Sequence, residues 1–200
     1  TPYIPSTYHI APAYCYRCWF NKTPESCDLE CAQTLETEIM MQGPETVAAF
    51  IAEPFSGMSL CAAAPRRDYF RKIREICDKF GVLLILDEVM TGFGRTGKYF
   101  AYEHYETPPD LIALGKGIAG GYFPLGAVAV TARVIDAIAN GSGIFASGHT
   151  WAGNPLGAAV ANKTMDLLDE GNLVQRCAEM GDYLAQKLEA LRSHPIVGDI

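Results

Sequence analysis

The stretch from Val82 to Leu86 reads V-L-L-I-L, five apolar residues with no polar position on either side of a strand. Alternating polar and apolar residues mark a strand with one wet face, whereas an unbroken short apolar run indicates burial on both faces. Strands of that kind lie in the middle of parallel sheets that helices cover. The run therefore predicts a central strand of an α/β fold, and it ends directly at two acids, Asp87 and Glu88.

The segments around this strand fit the same fold class. Three more apolar runs predict strands at Val47–Pro54, Leu111–Leu114 and Leu125–Thr131. Apolar residues at helical spacing predict four helices: Leu29 to Gly43-Pro44, Pro65 to Phe80, Asn154-Pro155 to about Leu168, and one capped by Asn172. Because most strands are separated by helical or long connections, we predict an α/β fold with a mainly parallel, helix-covered sheet. Residues 1–28 are predicted to be irregular.

Composition excludes several classes of partner. The 200 residues carry a formal net charge of −7, which argues against nucleic acid or an anionic membrane surface as the main partner. No apolar run approaches the roughly 20 residues of a membrane-spanning helix. The odd count of seven cysteines is more typical of a reducing cytoplasm than of a disulfide scaffold. Because the chain begins at Thr1, not at a natural start, and ends within an apparent new strand, we expect an internal piece of a longer protein.

Charged side chains follow three successive predicted strands. Glu53, Asp87 and Lys116 each come at the carboxyl end of a strand, where ligands bind in open α/β sheets. Neighbouring strands lie about 4.8 Å apart, so Asp87 and Lys116 can bracket a small flat ligand without touching each other. A glycine on either side of Lys116 allows close backbone approach, and a desolvated amine in such a site can attack a carbonyl. The alternative is structural: Asp87 caps a loop or pairs with Arg95, and Lys116 is solvated.

The loop after the two acids spells G-F-G-R-T-G from Gly92 to Gly97, which matches a dinucleotide-binding pattern. That motif requires its first glycine directly after the strand and a helix that opens at its last glycine. Here residues 87–91 intervene, and the following K-Y-F-A-Y-E-H-Y is a weak, aromatic helix start. The pattern therefore does not indicate a dinucleotide site.

Three motifs together carry a resemblance to a known family. In order and spacing, D-E-V-M-T-G-F-G-R-T-G, the G-K-G around Lys116 and the later T-W-A-G-N-P resemble the class III aminotransferases, pyridoxal-phosphate enzymes of fold type I. The similarity runs from about Val47 to Ile200. It implies that residues 1–165 are part of the large cofactor-binding domain, whose N-terminal part is missing, and that residues 166–200 begin a small C-terminal domain.

The resemblance also implies roles for five residues. Lys116 is similar to the lysine that holds pyridoxal 5'-phosphate as an internal aldimine and then moves the proton during transamination. Asp87 is similar to the partner of the pyridine nitrogen, a pairing that would explain an acid at a buried strand end. Val89 resembles a residue that packs on one ring face, and Glu53, in A-E-P, one that supports the cofactor site. Thr150 resembles the residue that reaches the cofactor phosphate of the neighbouring subunit, which implies a homodimer.

Two positions differ from the 4-aminobutyrate and ornithine members of that family. Met90 stands where those members have a glutamine that touches the cofactor, and Met58 where they have a glutamate that pairs with a substrate-gating arginine. Because a thioether can do neither, we expect amino transfer from an ω-amino acid or amine to a 2-oxo acid. An aminomutase or a decarboxylase of the same fold uses the same lysine and aspartate, and both stay open as alternatives.

Four cysteines near the N-terminus indicate a different class of function. Cys15, Cys18, Cys27 and Cys31 follow the spacing C-x2-C-x8-C-x3-C, which is close to that of a structural zinc knuckle. The corresponding hypothesis is a zinc-stabilised, non-catalytic interaction module. The alternative is a cluster of reduced thiols that binds no metal.

Overall fold

The computed structural model describes residues 4–200, so the first three residues of the segment predicted to be irregular lie outside it. Within that range one sheet contains the strands β1 (Ala49–Ala52), β2 (Leu83–Asp87), β3 (Leu111–Leu114) and β4 (Ala127–Val130). The α-helices are α1 (Glu30–Gln42), α2 (Tyr69–Phe80), α3 (Ala132–Asn140), α4 (Pro155–Glu170) and α5 (Leu173–Glu189). Short 3-10 turns occupy Cys15–Arg17, Pro44–Thr46, Ala101–His104 and Lys116–Ala119. Among these residues no helix combines the length and the apolarity that a membrane span requires.

The sheet is mainly parallel, as predicted. Its strand order is β1-β2-β3-β4. Strand β2 pairs in parallel with β1 and with β3, whereas β4 pairs antiparallel with β3. Strand β3 occupies the predicted residues, β1 and β4 are shorter than predicted, and β2 is shifted by one residue so that Asp87 is its last member. The α/β fold class is confirmed.

The core lies between the sheet and the helices α1 and α2. Leu84 and Leu86 of β2 are fully buried and belong to one cluster with apolar side chains of the two helices, of which the largest are Ile39, Phe70, Ile73 and Ile76. On the opposite face of β2, Leu83 and Ile85 are only half-buried. The sequence predicts that β2 is buried on both faces. In the described part of the chain, only the face that carries Leu84 and Leu86 is fully buried, because α1 and α2 pack on it.

Helix α2 begins later than its sequence predicts. Pro65 suits a first helical turn, but the helix starts at Tyr69. The reason is Arg66, whose guanidinium donates to the carbonyl oxygens of Pro24 at 2.8 Å and Cys27 at 3.1 Å. These contacts with the N-terminal segment hold the residues before Tyr69 in a separate turn.

The C-terminal helices agree with the prediction in position but not in every cap. The side chain of Asn154 accepts hydrogen bonds from two backbone N–H groups in the first turn of α4, as a capping residue does. Asn172 precedes α5 in a left-handed conformation, with φ 47°, and its side chain makes no capping bond, so that predicted cap is wrong.

Helix α3 was not predicted, because only Thr131 separates its short apolar pattern from the apolar run of β4. The predicted domain boundary at residue 165 falls inside α4, and the division into two domains stays a prediction.

Asp110 anchors the amino end of β3. Its carboxylate is buried and accepts hydrogen bonds from the backbone N–H of Leu84 at 2.8 Å and from Arg74 Nη1 at 2.8 Å. Arg133 of α3 donates a further bond to the other carboxylate oxygen. One acid thus connects α2, β2 and α3 to the start of β3.

Replacing Asp110 by asparagine should reduce stability in a pH-dependent way. Burial raises the pKa of Asp110, but the Leu84 N–H and the two guanidinium groups outweigh it and lower the pKa below its ordinary 3.8. A carboxyl whose pKa folding lowers stabilises the protein above its unfolded pKa, and that contribution is lost as the pH falls through the folded pKa. Asp110→Asn should therefore cost about 3 kcal/mol of unfolding free energy at neutral pH and progressively less below about pH 4. Urea unfolding of the full-length protein across this range measures both effects, and parallel pH curves for the two proteins would contradict the assignment.

The G-F-G-R-T-G loop packs against helix α5. Gly94 and Gly97 have left-handed φ values of 86° and 80°, which favour glycine. A Cβ atom added at Gly97 would lie 2.8 Å from the Cβ of Ala178, too close for any side chain. Cys177 Sγ also donates to the carbonyl oxygen of Arg95 at 3.3 Å. Close contact with helix α5 therefore accounts for Gly94 and Gly97.

Replacing Gly97 by alanine should lower the unfolding free energy by about 2–5 kcal/mol. The left-handed conformation costs a side chain about 1–2 kcal/mol, and overpacking against Ala178 adds about 1–3 kcal/mol. Gly121→Ala is the matched control, because Gly121 has a similar φ of 82° but nothing within 4 Å of its added Cβ. Thermal or urea unfolding of both variants separates the cost of backbone strain from the cost of the contact with Ala178. Equal losses of unfolding free energy in the two variants would contradict tight packing of the loop on α5.

Candidate active site

The carboxyl ends of β2 and β3 bring Asp87 and Lys116 to one edge of the sheet. Asp87 is the last residue of β2 and stands opposite Ala113 in the parallel register. Lys116 follows the end of β3 after one glycine. In the part of the chain that the structure describes, no ion pair joins the two side chains. An acid and an amine thus follow adjacent parallel strands at one edge of the sheet.

Lys116 has an unusual backbone conformation. Its φ of 41° lies in the left-handed region, which costs a residue with a side chain about 1–2 kcal/mol. The glycines beside it are closely packed: a Cβ at Gly115 would lie 3.2 Å from Val89 Cγ1, and one at Gly117 would lie 3.0 Å from Phe93 Cβ. The Lys116 side chain itself is exposed. Backbone strain of this kind is concentrated at functional sites, because the surrounding packing has to maintain it.

Asp87 caps the turn that follows β2. Its Oδ1 accepts a hydrogen bond from the backbone N–H of Val89 at 3.0 Å, and the side chain is half-buried. Across residues 4–200 it forms no ion pair with Arg95, so of the two structural alternatives the loop cap is present and the salt bridge is not. Its Oδ2 has no hydrogen-bond partner within those residues and can accept one from a ligand.

Glu53 and Val89 support the backbone at the same edge. Glu53 Oε2 accepts a hydrogen bond from the Gly57 N–H at 3.0 Å, which closes the turn after β1. Met90 covers Gly57, since its Sδ lies 2.7 Å from the position of an added Cβ there. Val89 packs on Gly115, directly before Lys116. Four of the five predicted site residues therefore lie at or beside the ends of β1, β2 and β3.

Thr150 does not join this group. It lies exposed in the turn before α4, and within the described chain no hydrogen bond or ion pair connects it with Glu53, Asp87 or Lys116. Its predicted role concerns the cofactor of a neighbouring subunit. That role stays a prediction.

Glu88 is a buried acid with no role predicted from the sequence. Its side chain is 0% exposed. Its Oε1 accepts a hydrogen bond from the Tyr102 N–H at 2.8 Å, and its Oε2 accepts one from the Ala101 N–H at 3.0 Å and another from the Thr91 hydroxyl. The two consecutive acids could have indicated this residue. Adjacent residues of a strand point to opposite faces, so only one of the two acids can face the candidate site.

The four N-terminal cysteines form no metal site in the described part of the chain. Burial, followed by the neighbouring Cys27 thiol, raises the pKa of Cys15, and burial raises the pKa of Cys31 to about 11. From residue 4 to residue 200, no group of three or more His, Cys, Asp or Glu side chains is arranged to hold a metal ion. The alternative hypothesis of a zinc site, which includes Cys18, therefore gains no support from this geometry.

A large cleft reaches the candidate site only at Glu53. It measures about 1080 Å³ and runs along β1, and of the five predicted site residues only Glu53 lines it. Because β1 is the outer strand of the described sheet, the cleft marks the open side of a sheet edge. The charged groups at the carboxyl ends of the strands, rather than the size of this cleft, identify the candidate site.

The side chains at the strand ends fit pyridoxal phosphate in their chemistry. The cofactor has a ring nitrogen that suits a carboxylate and an aldehyde that suits a lysine amine. Asp87 offers a carboxylate oxygen without a partner in the described chain, and Lys116 offers an exposed amine. Asp87 ends β2 and Lys116 follows the adjacent β3, and neighbouring strands lie about 4.8 Å apart, a spacing that a small ring can bridge.

Known proteins resemble this chain along its whole length. The family described as Aminotransferase class-III matches residues 1–200. An aminotransferase of Gibberella zeae is 41% identical over 180 residues, which cover 90% of this chain and 35% of that protein. Putrescine–pyruvate aminotransferase of Pseudomonas aeruginosa is 39% identical over 197 residues, which cover 98% of this chain and 43% of that protein.

A solved structure gives the same result for the fold. An (S)-enantioselective omega-transaminase from Thermomicrobium roseum superimposes with a TM-score of 0.91 at 38% identity, covering 100% of this chain and 44% of that one. The chain thus spans less than half the length of the relatives that it matches. Because the family match spans residues 1–200, the chain belongs to the class III aminotransferases.

Proposed function

We propose that this chain is the central part of a pyridoxal-phosphate-dependent enzyme that moves an amino group from an ω-amino acid or amine to a 2-oxo acid. The observation that carries the proposal is that Asp87 and Lys116 follow adjacent parallel strands in a class III aminotransferase chain. Relatives named for their substrates support the donor class, among them putrescine–pyruvate aminotransferase and the taurine–pyruvate aminotransferase of Bilophila wadsworthia.

Lys116 and Asp87 would divide the chemistry between them. When bound, the cofactor supplies an electron-withdrawing ring next to the substrate carbon. Asp87 would accept a hydrogen bond from the ring nitrogen and keep a proton on it, and each unit by which this raises the nitrogen pKa corresponds to about 1.4 kcal/mol. Lys116 Nζ would hold the cofactor covalently, would be released when the substrate amine takes its place, and would then move a proton from the substrate carbon to the cofactor.

The neighbouring residues would keep these two groups in position. The left-handed conformation of Lys116 and its contacts through Gly115 with Val89 fix where the lysine side chain starts. Val89 would pack on one face of the cofactor ring, since its methyl groups lie directly beside that backbone. Glu53 would support the site through its bond to the turn after β1. Such positioning reduces the entropy that the reaction has to lose.

Uncharged side chains favour an amine or ω-amino acid donor. Met58 is 86% exposed after β1, and Met90 packs on Gly57 of the same turn. Neither thioether can pair with an arginine, so these positions do not provide the charged gate that the 4-aminobutyrate and ornithine pattern requires.

A homodimer would complete the cofactor site. Thr150 is exposed, and so are nearby large apolar side chains, Phe145 at 77% and Trp151 at 67%. Exposed apolar surface of this kind is typical of a subunit interface, across which Thr150 would reach the cofactor phosphate.

We also infer a cytoplasmic location, because all seven cysteines are free thiols.

An assay of the full-length protein with an ω-amine and pyruvate tests this function. Amino transfer predicts loss of the amine and formation of alanine in equal amounts. Release of carbon dioxide would indicate a decarboxylase, and a positional isomer of the donor would indicate an aminomutase. Zinc-dependent folding without any cofactor absorption would instead support the non-catalytic module.

A further inference from the structure

We infer that Glu88 is a positioning residue that sets the direction of Asp87 by anchoring the end of β2 on the opposite face of the sheet. The inference rests on the proposed roles of Asp87 and Lys116. It adds a third residue on which the geometry of those two depends.

The two consecutive acids point to different faces of β2. Leu84 and Leu86 are each 0% exposed and face the core formed with α1 and α2. Glu88 continues this alternation and is also 0% exposed, whereas Asp87 is half-buried like Ile85 on the other face. A slip of one residue in register would exchange the two acids between faces.

The covered face provides hydrogen-bond donors at residue 88. The Thr91 hydroxyl and the backbone N–H groups of Ala101 and Tyr102 all donate to the Glu88 carboxylate. A carboxylate accepts from several donors at once, and a buried carboxylate without such partners is costly. The strand end is therefore most stable in the register that brings Glu88 to these donors, and this register leaves Asp87 on the opposite face.

The backbone of Glu88 also connects the two strands that carry the proposed site. Its N–H donates to the carbonyl oxygen of Ala113 in β3 at 2.9 Å, three residues before Lys116. Its own carbonyl oxygen accepts from the Gly92 N–H at 2.9 Å, at the start of the loop that packs on α5. A change in the Glu88 anchor would therefore alter the spacing between Asp87 and Lys116.

The variant Glu88→Gln tests this role in the full-length enzyme. Whichever carboxylate oxygen becomes the amide nitrogen, it faces a backbone N–H, because Tyr102 donates to Oε1 and Ala101 donates to Oε2. A displacement of the site by about 1 Å costs about 10²-fold in rate, so we expect a loss of that order in kcat with KM changed much less. We also expect a shift in the pH midpoint of the visible absorption of the bound cofactor.

Asp110→Asn is the matched control, because Asp110 is likewise a buried carboxylate with three donor groups but lies at the amino end of β3. It should lower the urea midpoint while kcat and the absorption midpoint, measured where the variant is folded, stay as in the wild type. If Glu88→Gln and Asp110→Asn have the same effects on all three quantities, Glu88 is only a stabilising residue and the inference is overturned.

A milder pair of variants decides the matter if Glu88→Gln does not fold. Thr91→Ala removes one donor to Glu88, and Thr91→Ser restores the hydroxyl. We expect Thr91→Ala to move kcat and the absorption midpoint in the direction expected for Glu88→Gln, and Thr91→Ser to return both to wild-type values. If Thr91→Ala leaves both unchanged, the inference is overturned.

The failure of this inference is distinguishable from failure of the proposed function. A wild-type protein without cofactor absorption or amino transfer would overturn the proposed function. A wild-type protein that shows both, but whose Glu88→Gln and Thr91→Ala variants match their controls, would overturn the role of Glu88 alone.

Discussion

Replacing Lys116 by alanine in the full-length protein should lower the rate of amino transfer by about 10³-fold or more. The variant loses both the amine that would hold the cofactor and the group that would move the proton. Alanine is a suitable replacement because it tolerates the left-handed φ of 41° no better than lysine, so the backbone strain stays the same. Within residues 4–200 the exposed Lys116 side chain forms no hydrogen bond or ion pair, so its removal should leave the fold intact. Single-turnover formation of alanine from pyruvate measures the effect.

Lys163→Ala is the control for a general effect of removing a lysine. Lys163 is exposed on α4 and pairs with Glu170 at 3.5 Å, a surface ion pair of small energetic value. It should transfer the amino group at the wild-type rate. A Lys116→Ala variant that keeps more than a tenth of the wild-type activity would contradict the role proposed for this lysine.

The variant Asp87→Asn should lower kcat by about 10²–10³-fold while the fold is retained. Asparagine keeps an oxygen that can accept the Val89 N–H bond, so the turn after β2 is preserved. What it loses is the negative charge opposite the ring nitrogen, and loss of one well-placed electrostatic group costs a factor of that size. Steady-state kinetics with a saturating amine donor, together with the visible absorption of the bound cofactor, measures the effect.

Asp87→Ala separates the charge from the cap. This variant loses both the charge and the bond to Val89, and it should be as slow as Asp87→Asn but less stable by about 1 kcal/mol. If Asp87→Asn is as active as the wild type and only Asp87→Ala is impaired, Asp87 acts as a loop cap and the proposed role in catalysis is wrong.

The edge of the sheet that carries the candidate site could be predicted from local patterns. The apolar runs of β2 and β3 identify these strands to within one residue, and a charged residue follows each of them. Because parallel strands end at the same edge, this information is sufficient to bring Asp87 and Lys116 together. The parallel register of β2 and β3 agrees with that prediction.

Long-range contacts decide the features that could not be predicted. Arg66 delays the start of α2 by donating to the carbonyl oxygen of Pro24, 42 residues earlier in the chain. Gly97 requires a glycine because Ala178 of a distant helix packs against it. Two of the three donors to Glu88, the N–H groups of Ala101 and Tyr102, lie 13 and 14 positions later. None of these pairs has a local signature, so no periodicity or propensity can show which residues meet.

Local and distant contacts together account for the two consecutive acids at the end of β2. Asp87 faces the candidate site with one oxygen available in the described chain, whereas Glu88 is enclosed by three donors. The first acid was predictable as a ligand group because it ends a strand. The role of Glu88 can be recognised only when the position of Ala101 and Tyr102, whose N–H groups donate to it, is known.

Borohydride reduction of the full-length protein loaded with pyridoxal phosphate, followed by peptide mapping, tests the central claim most directly. If the cofactor lies between Asp87 and Lys116, its visible absorption disappears on reduction and its mass is found on the peptide that contains Lys116. Attachment to a different lysine, or a protein that stays colourless with the cofactor, would contradict the account.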